Sequence, residues 1–183
     1  MERAGANLNA VNYYFRDKQG LYEALFEQAH QNVAEEDQDE FARMRVLPPE
    51  RRMRSFVEHA VRRFTVCKQT PWQARLMFRE MTEPTGVLDG MTERFIRPHF
   101  TELVGLVRDI AGPQTPDLAL RFCAESIIGQ CIHFVHGRAI IEKLIPELEH
   151  MPMGVELIAE HITEFSLAAI RNLPHQEPTD DKH

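Results

Sequence analysis

Asn9 and Asn12 stand three residues apart in the stretch "GANLNAVNYYFRDKQGLY", which runs from Gly5 to Tyr22 and continues through Tyr13, Tyr14, Arg16 and Lys18. On a helix that spacing places both amides on one face. A carboxamide donates and accepts at once, which is what reading the edge of a base requires. A lysine at the head of the following helix adds its charge to the helix dipole and suits a phosphate. Other constellations offer less. His133 and His136 are also three apart, but two ligands do not complete a zinc site and no Cys or carboxylate stands at a matching spacing, so no metal is expected. Cys123 and Cys131 lie in apolar helical sequence and read as small buried hydrophobes. The acidic run at Glu35, Glu36, Asp37 and Asp39 reads as a solvated helix face. No nucleophile with a base, phosphate loop or carboxylate pair stands on a defined scaffold, so neither an enzyme nor a cofactor is expected.

The chain of 183 residues carries a formal charge of −7, which at first disfavours nucleic acid. Its distribution matters more, because residues 1–22 carry +1 and the remainder −8. An acidic body with a slightly basic tip can dock on DNA through the tip alone. Three cysteines at wide spacing argue against a disulfide framework, and the polar start lacks a signal-peptide core, so a cytoplasmic protein with no membrane partner is expected.

The elements that would position these groups are helical throughout. Asn7 can cap a short helix from about Leu8 to Tyr14, and Asp17 can cap the next, with Leu21, Tyr22, Leu25, Phe26, Ala29 and Val33 on one face. "LPPE" (Leu47 to Glu50) breaks the chain and supplies proline for a helix start. Met53, Phe56, Ala60, Phe64 and Cys67 then recur at spacings of three and four. "TPWQARLMFREMTEPTG" forms a short helix between proline breaks, and a longer helix follows from about Leu88 to Ala111, kinked at Pro98. From Pro116 two apolar stripes run side by side, Leu120, Ala124, Ile127, Cys131 and Phe134 beside Ile128, Ile132 and Val135. Two stripes predict two buried faces, one for the core and one for another subunit. The last helix carries Val155, Ile158, Ile162, Phe165 and Ala169 as a seam. The expected fold is all-α, of about eight helices.

A capped short helix after a Gly-containing turn, then a helix headed by lysine, is half of a helix-turn-helix unit. "AGANLNAVNYYFRDKQGLYEAL" resembles the recognition helix and following helix of the TetR family of transcriptional regulators. "NLNAVNYYF", "FREMTEPT", "IIGQC" and "EHITEFSLAAI" are similar to its CecR-type branch in particular. The resemblance implies a TetR-like helical bundle acting as a ligand-responsive repressor. Leu8, Asn9, Ala10, Asn12 and Tyr13 would sit in or beside the DNA groove, and Tyr14 and Lys18 would hold the backbone. It also implies a palindromic operator, an unidentified small-molecule effector and a homodimer. Helices Asp117 to Phe134 and Gly154 to Asn172 would pair with their symmetry mates. Ala124, Ile127, Ile128, Gly129, Cys131 and Ile132 would line that interface, with Ile158, Ile162, Phe165 and Ala169. The effector pocket would be lined by Trp72, Phe78, Arg79, Phe95, His99 and Phe134, mainly apolar with a few polar groups.

In the family three helices make the DNA-binding domain, whereas only "MERA" precedes Gly5 here. Roughly 35–45 residues of such a domain would be missing by ordinary helix and loop lengths. The expected division is a remnant of the helix-turn-helix domain over 1–30, an effector-binding and dimerisation domain over 31–173, and a disordered tail over 174–183. DNA binding is then expected to be lost in this truncated chain. The alternative is a helical ligand-binding and dimerisation module without DNA binding.

Overall fold

The computed structural model describes residues 20, 24, 39–69, 79–80, 82–84, 89–90, 92–149 and 154–174. Among them every regular element is helical, so the fold is all-α. The chain divides into two compact units, Met1–Glu40 with Pro71–Pro98 and Phe41–Thr70 with His99–His183.

In the second unit helix α1 (Pro49–Gln69) begins at the proline of "LPPE", where a residue without an N–H leaves no donor unpaired. Met53, Phe56, Val57, Ala60 and Val61 are buried along it, as residues three and four apart share a helix face. Helix α2 (Arg97–Ala111) buries Leu103, Val104, Leu106 and Val107. It stops at Gly112, whose φ of 93° suits a residue without Cβ and whose N–H donates to Arg108 O at 2.9 Å. Pro116 then leads into α3 (Asp117–His136). The short α4 (Arg138–Leu144), a 3-10 turn at Pro146–Glu149 and α5 (Val155–Ile170) complete the unit.

Helix α1 packs against both α3 and α5, and α3 against α5, so one core is shared by Met53, Val57, Leu120, Ile127 and Ile162 with their neighbours. Charged groups strap α2 alongside. The largely buried Arg52 guanidinium reaches Asp109 at 2.8 Å and Glu102 at 3.6 Å. Asp117, at the start of α3, lies 2.6 Å from Arg121 and 2.7 Å from Arg108 of α2. The hydrogen bond from Arg121, more than the charge of Arg108, holds its carboxyl below the usual carboxylate range.

One local feature differs from the sequence expectation, and a second is one on which the sequence is silent. Instead of one helix kinked at Pro98, a π-helical turn at Thr92–Ile96 leads into α2 at Arg97. Proline at 98 has no N–H for the carbonyl four residues earlier, and a wider turn just before it accommodates that missing donor. The second feature is the break between α3 and α4 at Gly137. Its N–H donates to His133 O at 2.7 Å, and a Cβ built there would lie 2.6 Å from that same oxygen. Only glycine lets the chain turn so tightly against the last turn of α3.

Candidate functional site

The sequence pattern on α3 separates into two faces. Leu120, Ala124, Ile127, Cys131 and Val135 point into the core. The opposite face carries Leu118, Phe122, Glu125, Gly129 and His133, all exposed. Helix α5 divides in the same way. Ile158, Ala159, Ile162, Thr163, Ser166 and Ile170 are buried, whereas Leu157, His161, Glu164, Phe165 and Ala168 are exposed. Rings join the two exposed faces along the α3–α5 seam. Phe134 meets His161 edge-on with centroids 5.4 Å apart, and His161 lies 6.3 Å from Phe165.

Phe122 is 64% exposed, Leu118 63% and Phe165 59%. Leu118 and Phe122, one turn apart on α3, and Phe165 on α5 are large apolar side chains left uncovered, and apolar groups exposed in this way are a feature of interaction surfaces. Gly129 sits in the middle of the α3 face, and a Cβ there would meet nothing within 4 Å. Among the described residues nothing requires glycine at a position where helix propensity disfavours it by about 1 kcal/mol. Its place on the open face fits the close approach of another helix.

This placement corrects the face assigned from sequence. Ala124, Ile127, Cys131, Ile158 and Ile162 lie in the protomer's own core, with at most 6% exposure, and have no surface to offer a partner. Ile128 and Ile132 are half-buried, while Gly129, Phe165 and Ala169 are exposed. Leu118, Phe122, Leu157 and His161, outside that assignment, are exposed on the same two helices. The signal for them was present in the spacing of Leu118, Phe122 and Gly129 by four and seven, but two isolated apolar residues at the head of a helix carry less weight than a run of isoleucines.

Residues 49–170, the part that contains this helical pair and its core, match the family described as HTH-type transcriptional dual regulator CecR, C-terminal domain. The chain belongs to that family of TetR-like regulators. No curated protein matches it. The CecR C-terminal domain is a transcription-regulator module rather than an enzyme family.

Within this CecR-type chain, those expected effector residues that are described make local contacts in their own unit. His99, near the start of α2, stands edge-on to Phe41 with centroids 5.1 Å apart, and Phe41 stacks on Phe56 at 5.9 Å. Phe134 is half-buried against His161 of α5. Arg79, in the other unit, is exposed and 3.7 Å from Glu83 one helical turn on. Its neighbour Glu80 is wholly buried. Phe95 falls in the π-helical turn. Trp72 and Phe78 lie outside the described residues, as do Leu8, Asn9, Ala10, Asn12, Tyr13, Tyr14 and Lys18.

The remaining chemistry is sparse. Burial pushes the Cys131 thiol up to about 12 and raises that of the half-buried Cys123, so neither is a ready thiolate at neutral pH. His136 lies 6.4 Å from Phe64 and His133 lies 6.1 Å from Phe134, centroid to centroid. Among the described residues no group of three His, Cys, Asp or Glu side chains is placed to hold a metal ion. Helix α3 is long and apolar enough to cross a membrane by length and composition, but its buried face is the one that packs on α1 and α5.

Proposed function

We propose that the protein is a ligand-responsive transcriptional regulator of repressor type that works in the cytoplasm as a homodimer. The observation that carries this reading is the open apolar face of α3 and α5, within a domain of the CecR family. A face shared by two neighbouring helices and repeated about a two-fold axis makes a four-helix interface, which is self-complementary and closes at two copies. The two-fold would match a palindromic operator.

The remaining parts follow from the resemblance to TetR-type regulators. The domain over 31–173 receives a small-molecule effector, and the segment over 1–30 carries the groove-facing Leu8, Asn9, Ala10, Asn12 and Tyr13. Tyr14 and Lys18 hold the DNA backbone. Trp72, Phe78, Arg79, Phe95, His99 and Phe134 line the effector site. In regulators of this type effector binding favours one of two spacings of the dimer's DNA-reading ends and so shifts operator occupancy, whereas DNA binding is expected to be lost in this chain.

Sedimentation velocity of the purified chain tests the carrying step. A dimer of the 21.2 kDa chain is expected, and Phe165→Glu should convert it to monomer, because a carboxylate in a dry interface has no partner. A monomeric wild-type chain at micromolar concentration would overturn the reading.

A further inference from the structure

Helix α4 carries a second apolar surface that its own protomer leaves open. It packs on α3 and on the Pro146–Glu149 turn, and within α4 only Ile141 is buried. Ile140 is 61% exposed, Leu144 74% and the following Ile145 45%. The two ends of α3 therefore both border uncovered apolar groups, Leu118 and Phe122 at its start and the α4 cluster beyond its end.

We infer that α4 is a reciprocal clamp, its Ile140, Leu144 and Ile145 covering the partner subunit's Leu118 and Phe122 in the homodimer. The inference rests on the homodimer proposed above. A two-fold axis perpendicular to α3 and passing beside it sets the helix antiparallel to its mate, so the start of one α3 lies beside the end of the other. With the crossing at the side-chain-free Gly129, the partner's Gly137 falls level with Arg121, between Leu118 and Phe122. Gly137 lies about 12 Å and Leu118 about 16 Å from that centre at 1.5 Å per residue. The apolar groups left over at one end are thus placed against those left over at the other.

Charge supports the same occupant. Glu125 and Lys143 are both exposed, and neither has an ion-pair or hydrogen-bond partner among the described residues. Glu125 follows Phe122 by one helical turn, and Lys143 precedes Leu144, so the two apolar clusters carry exposed charges of opposite sign beside them. A second copy of this chain supplies both the apolar cover and the counter-charge, at both ends at once.

The test uses the full chain with Cys67→Ser and Cys123→Ser, co-expressed as two differently tagged copies, one with Phe122→Cys and the other with Leu144→Cys. A short bis-maleimide is expected to yield a covalent product carrying both tags. Phe122→Cys alone should not link to itself, because its two copies stand about 21 Å apart along antiparallel helices. A second variant, Leu144→Glu, should raise the dimer dissociation constant at least about tenfold with helicity unchanged. A dimer by sedimentation that gives no mixed product and tolerates Leu144→Glu overturns the clamp and leaves the dimer standing. A wild-type monomer overturns both.

Discussion

Replacing Thr163 with valine should stabilise this protein. Thr163 and Ser166 sit on the buried face of α5, 5% and 2% exposed, and neither hydroxyl has a hydrogen-bond partner among the described residues. Other hydroxyls in the same unit do. Thr65 donates to Val61 O at 2.8 Å, Ser126 to Phe122 O at 2.8 Å and Thr115 to Ala111 O at 3.3 Å, the back-bond to the preceding turn that helical Ser and Thr commonly make. An unpartnered buried hydroxyl costs about 1–3 kcal/mol. Valine has the same shape and nearly the same helix propensity, so it removes that cost without opening a cavity. The expected gain is about 1–2 kcal/mol, or a midpoint roughly 2–6 °C higher. Urea unfolding followed by circular dichroism at one fixed protein concentration would measure it, the concentration being held because dimerisation contributes to apparent stability. Thr163→Ser is the counter-test. It keeps the hydroxyl and deletes a methyl, and should cost about 1 kcal/mol. A loss of 1 kcal/mol or more in Thr163→Val at unchanged m-value would refute the reasoning, because it would mean that the hydroxyl has a partner such as a bound water.

Gly137→Ala should destabilise by about 1–3 kcal/mol, since its Cβ would meet backbone at His133 O rather than a movable side chain; urea unfolding that matches wild type would count against the tight turn. Cys131 should resist alkylation in the native protein at pH 8 and react fully in denaturant, as read by peptide mapping. Its folded value near 12 lies above the ordinary 9.0, so the folded state holds the proton more tightly. That contribution is intact below about pH 9 and falls away from there towards 12. Urea midpoints for wild type should therefore decline across that range more steeply than those of Cys131→Val, and equal slopes would refute the assignment.

Sequence periodicity placed the helices because it reports on burial along a single element. Pro49 at the head of α1 and the stripe of Met53, Phe56 and Ala60 were legible for that reason, as were the limits of α3 and α5 to within two residues. The same periodicity mis-sorted the faces. On α5 a seam of Val155, Ile158, Ile162, Phe165 and Ala169 mixed buried with exposed positions. The real inner face includes Ala159, Thr163 and Ser166, small residues on the side packed in the protomer, while large Phe165 stays outside. Hydrophobicity alone ranks phenylalanine above serine for burial. Helix packing can reverse that order where backbones approach closely.

The sequence by itself determined the all-α class, the start of α1 and the limits of α3 and α5, and the likeness to CecR-type regulators, since these depend on residue types at fixed short spacings. Tertiary structure decided which of the apolar stripes on α3 and α5 each protomer keeps for itself. A stripe buried in the core and one left open for a second molecule obey the same i, i+3, i+4 rule. Only the positions of neighbouring helices tell them apart.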